Sequence, residues 1–336
     1  MGQPQILTRG ARVTGSVASA AIALISAGWI VRDLYELESA GALWRLWAVI
    51  GPPPQTIPYS GLVDIVLFLV GSAVAVTAVR SSSAASSLVA VGILAVIARA
   101  PSVWLMMDVD RFDALDLRVR ALASAGATVG LGVILLLLAA FGRRPAGESA
   151  GYSSAFGEDR EPVRPTLGAA RTTFVFLCVA ALAGIAWEIY GARELGWEFY
   201  RGLLTGTGPL ATPLSPPKGW IAWSTSLFAL AATVAVLQRA SFGRALGMCA
   251  SAVYLAYGSL GIYSVAKGGL LDRFGDLSWT VRLDVLTAFW FALAGAITLV
   301  TLFFAFERRY EPQYGGWDPA DGTYGPPPPS TLPPGW

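Results

Sequence analysis

Histidine is missing from all 336 residues. That removes the commonest protein ligand for zinc, copper and haem, and the side chain most often used as a general base near neutral pH. Cysteine is nearly as scarce: Cys178 and Cys249 both lie inside apolar runs. A disulfide scaffold needs more cysteines, set in exposed loops, so these two read as small buried hydrophobes. Lysine occurs only at 218 and 267, against 22 arginines. With abundant Ala, Gly and Pro, that is the bias of a GC-rich genome and points to a bacterial source. Charge is short as well, at 14% of residues, where an average soluble domain carries about 25%. The 24 basic and 22 acidic residues leave a net charge of +2, far from the basic excess of a nucleic-acid binder. P-loop, CxxC and HExxH motifs are all absent, and the GxSxG string at 147–151 falls in a polar stretch between apolar runs, in a chain with no histidine to serve as its base. No catalytic residue, metal site or cofactor is therefore expected, and the chain reads as non-enzymatic.

What fills the sequence instead is hydrocarbon. It is 54% hydrophobic with a mean hydropathy of +0.57, so a lipid bilayer is the expected solvent. A bilayer core about 30 Å thick needs about 20 apolar residues per helical crossing. Eight stretches qualify, approximately 13–34, 60–79, 84–107, 119–142, 172–192, 219–238, 243–265 and 282–306. Pro101 predicts a kink or early stop in the third. The first has Arg9 and Arg12 before it, as a signal peptide does, but its apolar run is longer than a cleavable one; it reads as retained.

One charged passage occurs twice. "DRFDALDLRVR" (110–120) returns as "DRFGDLSWTVR" (272–282), which matches Asp110, Arg111 and Phe112 to Asp272, Arg273 and Phe274. "AVAVTAVR" (73–80) likewise corresponds to "ATVAVLQR" (232–239), and "DLY" (33–35) to "EIY" (188–190). Three matches in one order read as duplication. The expected fold is an all-α integral membrane protein of eight transmembrane helices, arranged as two four-span repeats over 1–142 and 172–309. A flexible cytoplasmic linker covers 143–171, and a disordered Pro/Gly-rich tail covers 310–336. Because four is even, the repeats enter the membrane in the same sense and are parallel.

Arginines without acids, at Arg80, Arg239 and Arg244, mark one side as cytoplasmic. The other side mixes its arginines with Asp and Glu. Both termini are thus expected in the cytoplasm of a bacterial plasma membrane. Ten tryptophans map to the outer half, an aromatic belt at one interface only; "LWRLWAVIGPPP" and "GWEFYRGLL" read as amphipathic interfacial segments. Each copy of the DRF motif falls in an outer loop, as a membrane-surface hairpin or a docking patch.

Ionisable residues inside spans are costly and so single themselves out. Asp64 and Arg99 fall about 6 and 10 Å below the outer boundary by helical rise, and their repeat equivalents, Trp223 and Gly258, are both uncharged. That joint loss is what an ion pair predicts. Asp33, Glu188, Asp284, Trp187 and Trp223 lie toward the same side as residues of an outward cavity. "GATVG" (126–130), matched to Ala288 and Ala292, provides a small-xxx-small face to hold the halves together or join two copies of the chain. Two functions fit. One is a membrane scaffold or assembly protein, with protein partners at the outer loops and the PPPP-bearing tail. The other is a transporter or carrier of lipid or a small molecule, with an aromatic, charged cavity between the repeats.

Overall fold

The computed structural model describes residues 5–48, 50, 58–79, 84–108, 117–145, 164–207, 213–240, 242–304 and 306–307. Two helices open the described chain, α1 (Arg9–Leu37) and the short α2 (Ala40–Trp47), followed by α3 (Leu62–Thr77), α4 (Ala84–Met107) and α5 (Arg118–Phe141). The same succession of lengths then returns in α6 (Leu167–Glu194), the short α7 (Trp197–Thr205), α8 (Lys218–Leu237), α9 (Gly243–Lys267) and α10 (Trp279–Phe304). Four short strands occur among the described residues: β1 (Gln5–Leu7) pairs antiparallel with β2 (Arg143–Pro145), and β3 (Arg164–Pro165) with β4 (Phe306–Glu307).

Among the described residues seven helices, α1, α4, α5, α6, α8, α9 and α10, are long and apolar enough to cross a bilayer, so the structure is essentially all-α and suited to a multi-pass membrane protein. The eighth expected crossing, 60–79, is shorter than a full span. Its helix α3 has 16 residues, about 24 Å at the helical rise. It starts late because the chain stays extended through Gly61, whose N–H is taken by the Asp64 carboxylate.

Two other boundaries move for a common reason. α1 begins at Arg9 and α6 at Leu167, ahead of the apolar runs, because the Thr8 and Thr166 hydroxyls accept the N–H groups of Ala11 (3.3 Å) and Ala169 (3.2 Å). Such caps satisfy donors that the first helical turn leaves unpaired. The expected linker therefore contributes β2, β3 and the first turn of α6 at its two ends. Its middle (146–163), the tail, and the first DRF copy (Asp110, Arg111 and Phe112) lie outside the described residues.

The strand pairs fix the direction of the helices. β1 precedes α1 and β2 follows α5, so these two helix ends meet; β3 and β4 do the same for α6 and α10. Within the first half α1 packs on α3 and α4 on α5; within the second, α6 packs on α8 and α9 on α10. The halves meet mainly through α4 and α9.

Small residues set the closest contacts, since lipid supplies no hydrophobic drive between helices. A Cβ on Gly92 would lie 2.8 Å from the Gly132 carbonyl oxygen. One on Gly295 would lie 2.5 Å from the Leu255 nitrogen, and one on Gly258 would strike the Ala292 backbone. Ala288 and Ala292 thus do line a helix interface, against Gly261 and Gly258. Gly126 and Gly130 do not: both are exposed, with open space around them. α5 turns Ala121, Ala125, Thr128 and Gly132 inward instead, and the GATVG glycines fall off that face.

Gly295→Val is expected to destabilise the protein by about 1–3 kcal/mol or more through overpacking, read as a drop in melting temperature in detergent. Gly126→Ala and Gly130→Ala should leave that temperature unchanged or slightly raised, because they add helix propensity and meet no neighbour.

Candidate functional site

The only ionisable residues expected well inside spans, Asp64 and Arg99, do form an ion pair, and both side chains are fully buried. Asp64 divides its two oxygens. Oδ2 accepts the Gly61 N–H at 2.9 Å and so caps α3, while Oδ1 accepts from the Arg99 guanidinium. Arg99 divides its donors too: Nη2 goes to Asp64 and Nη1 to the backbone carbonyl of Leu214, just before α8. One side chain of the first half thereby holds a loop of the second. The Ser26 hydroxyl faces Asp64 from α1, and Tyr257 of α9 lies within range of its charge.

α4 makes two more such ties, and Pro101 explains the first. A proline inside a helix has no N–H to give the carbonyl four residues back. In α4, which runs unbroken through Pro101 to Met107, that carbonyl belongs to Ile97, and it accepts from Trp220 Nε1 of α8 at 2.9 Å. Inside a membrane an orphaned carbonyl costs several kcal/mol, so the proline and the tryptophan belong together. The second tie is Trp104 Nε1 to the Thr205 carbonyl (3.1 Å) at the end of α7, with the Trp104 and Trp220 rings edge-to-face at 5.2 Å.

Asp33 is 1% exposed and committed to structure. Its Oδ2 accepts the Tyr59 N–H (3.0 Å), the Ser60 N–H (2.6 Å) and the Ser60 hydroxyl (2.6 Å), and its Oδ1 accepts from Arg32 (2.8 Å). Trp29 stacks on Tyr59 with centroids 5.1 Å apart, and the Arg32 guanidinium lies 5.1 Å from the same ring. Asp33 and Asp64 thus clamp the chain between them at Tyr59–Gly61.

In the second half Glu188, half-buried on α6, accepts from the Tyr200 hydroxyl at 2.8 Å, and that hydroxyl accepts from Trp223 Nε1 at 2.5 Å. Burial, then the neighbouring Glu188, pushes the Tyr200 phenol up to about 12 despite the Trp223 donor; it stays a donor at any physiological pH. Trp187 donates to Thr287 of α10 at 3.0 Å. The expected outer residues therefore separate into three groups. Asp33 sits on the clamp, Glu188 and Trp223 share one network, and Trp187 ties α6 to α10. Asp284 is exposed on α10 and joins none of them.

The second DRF copy closes a hairpin. Asp272 and Arg273 are exposed, while Phe274 opens the 3-10 turn Phe274–Asp276. Arg282 lies over the Phe274 ring (6.0 Å) and donates to the Gly275 carbonyl. The motif's Phe and its final Arg, eight residues apart, are partners.

Sequence reasoning reached Asp64, Arg99, Asp33 and Glu188 through the cost of charge in hydrocarbon. It missed Leu214, Ser60 and Trp220. Only Pro101 carried a signal, namely that some donor must reach residue 97. Comparison of the chain with protein-family models, curated proteins and solved structures finds no match.

Arg99→Ala should cost about 3–5 kcal/mol by stranding Asp64, and adding Asp64→Asn should restore part of that loss in a thermal double-mutant cycle. Trp220→Phe should cost about 1–3 kcal/mol by orphaning the Ile97 carbonyl. In a Pro101→Ala background, which returns an N–H to that carbonyl, the same substitution should cost measurably less.

Proposed function

We propose that the chain is a duplicated four-span unit with eight crossings, α3 being a short one, and with both termini on the cytoplasmic side of a bacterial plasma membrane. In this reading it works as a non-enzymatic membrane scaffold or assembly protein that receives protein partners at its outer loops and its Pro-rich tail. A 16-residue crossing is accommodated by local thinning of the bilayer or by its flanking residues. In favour of duplication are the recurring element order, the paired caps at Thr8 and Thr166, and the strand pair closing each half.

The observation that carries the scaffold reading is the commitment of Arg99. Its guanidinium is divided between Asp64 and the Leu214 carbonyl, so the costliest charge in the membrane is used to hold the two halves in one arrangement. A rigid platform needs that fixity; alternating access needs the halves to rock. One observation favours the carrier reading: Ser102, three residues along α4 from Arg99, is fully buried, and its hydroxyl has no hydrogen-bond partner among the described residues.

Deleting 310–336 separates the two. The scaffold reading expects co-purifying proteins to be lost from affinity-tagged protein while the membrane core stays monodisperse. Unchanged partners, together with a rise in melting temperature on adding one of a panel of solutes or lipids, would favour the carrier and defeat the scaffold.

A further inference from the structure

Five residues before α8 behave unlike an ordinary connection. Loops run over the surface, because burying them strands backbone polar groups. In Pro213–Pro217, "PLSPP", four of the five residues are buried, and Leu214 is 0% exposed. Its side chain is seated in a cup made by the other half of the chain, of Tyr59, Met106, Ala121 and Ala125. Its carbonyl is held by Arg99. Ser215 lies so close to Gly61 that a Cβ at position 61 would come within 3.2 Å of the serine Cβ. Three prolines stiffen the segment and spare it three backbone donors.

Beneath this segment lies polar capacity that the protein leaves unused. Ser102 is one turn along α4 from Arg99, fully buried, and has no hydrogen-bond partner among the described residues. Ser26 is fully buried as well, with its hydroxyl against Asp64. A buried hydroxyl left unpaired costs about 1–3 kcal/mol, and internal water is the usual remedy where several polar groups converge.

We propose that Pro213–Pro217 is a strap closing a polar, water-holding site lined by Ser26, Asp64, Arg99 and Ser102, and that lifting the strap opens this site to the aqueous phase. Leu214 is the seal and Arg99 the fastening. The strap and the site come from different halves of the chain, so access to the buried charges is controlled by how the halves sit together. This holds for a scaffold and for a carrier alike.

The test is the accessibility of position 102. Ser102→Cys is placed in a Cys178→Ala, Cys249→Ala background, and the protein is reconstituted in lipid nanodiscs. Its reaction rate with a small, charged, water-soluble methanethiosulfonate is compared with and without Leu214→Ala. The strap predicts slow modification with Leu214 in place and at least a tenfold faster rate after Leu214→Ala, in protein that remains monodisperse. Equal rates, or fast modification with the strap intact, would overturn it. Leu214→Val, a milder trimming, gives the same reading where Leu214→Ala does not fold. A density map of the unmodified protein in nanodiscs at about 2 Å resolution checks the water: solvent density within hydrogen-bond distance of Ser102 Oγ is expected, and a dry Ser102 hydroxyl would remove that part of the proposal.

Discussion

Hydrocarbon offers no hydrogen bonds, and most of the architecture around α4 follows from that one constraint. Pro101 frees the Ile97 carbonyl, and Trp220 reaches across from α8 to meet it. Arg99 brings a charge into the span, and Asp64 and Leu214 absorb it. Each demand arises on a helix of the first half, and part of each answer comes from the second. The seam between the halves is therefore specified by polar groups that have nowhere else to go. Apolar packing alone would permit neighbouring arrangements of similar energy.

The tryptophans belong to the same logic. Trp29, Trp47, Trp104, Trp187, Trp220 and Trp223 each donate an indole N–H to another element of the chain, at Ser124, the Ser60 carbonyl, the Thr205 carbonyl, Thr287, the Ile97 carbonyl and Tyr200. They act as buckles at the end of the molecule where α2, α7 and the longer connections lie. A large apolar ring with one donor suits that role, since it packs like a hydrophobe and still ends on a carbonyl or hydroxyl.

How much of this was legible in the sequence depends on which force placed each residue. Span positions were readable because hydropathy reports burial in lipid directly, and seven of the eight appear as long helices. Their starts were misplaced where a cap decided them: Thr8 and Thr166 extend α1 and α6 beyond the apolar runs. The Asp64–Arg99 pair was readable because desolvation makes a lone charge untenable, so a partner at similar depth had to exist. The GATVG face does not join the halves, because a small-xxx-small spacing says that a helix can pack closely without saying which way it faces. Gly126 and Gly130 look outward, while Gly132, two residues on, meets Gly92. Leu214 had no signature: a leucine in a proline-rich connection gives no hint that its carbonyl holds an arginine from another helix.

The strand pairs have a consequence for how such a chain could arise and be handled. Because β1 meets β2 and β3 meets β4, each half starts and finishes at one place and closes on itself. The ties between halves run helix to helix and loop to helix, from Arg99 to Leu214 and from Trp220 to Ile97; none of these uses the peptide link between Pro145 and Arg164. The molecule is organised as a heterodimer that happens to share one backbone. What keeps its two parts matched is the seam itself, where each supplies a group that the other's buried polar atoms require.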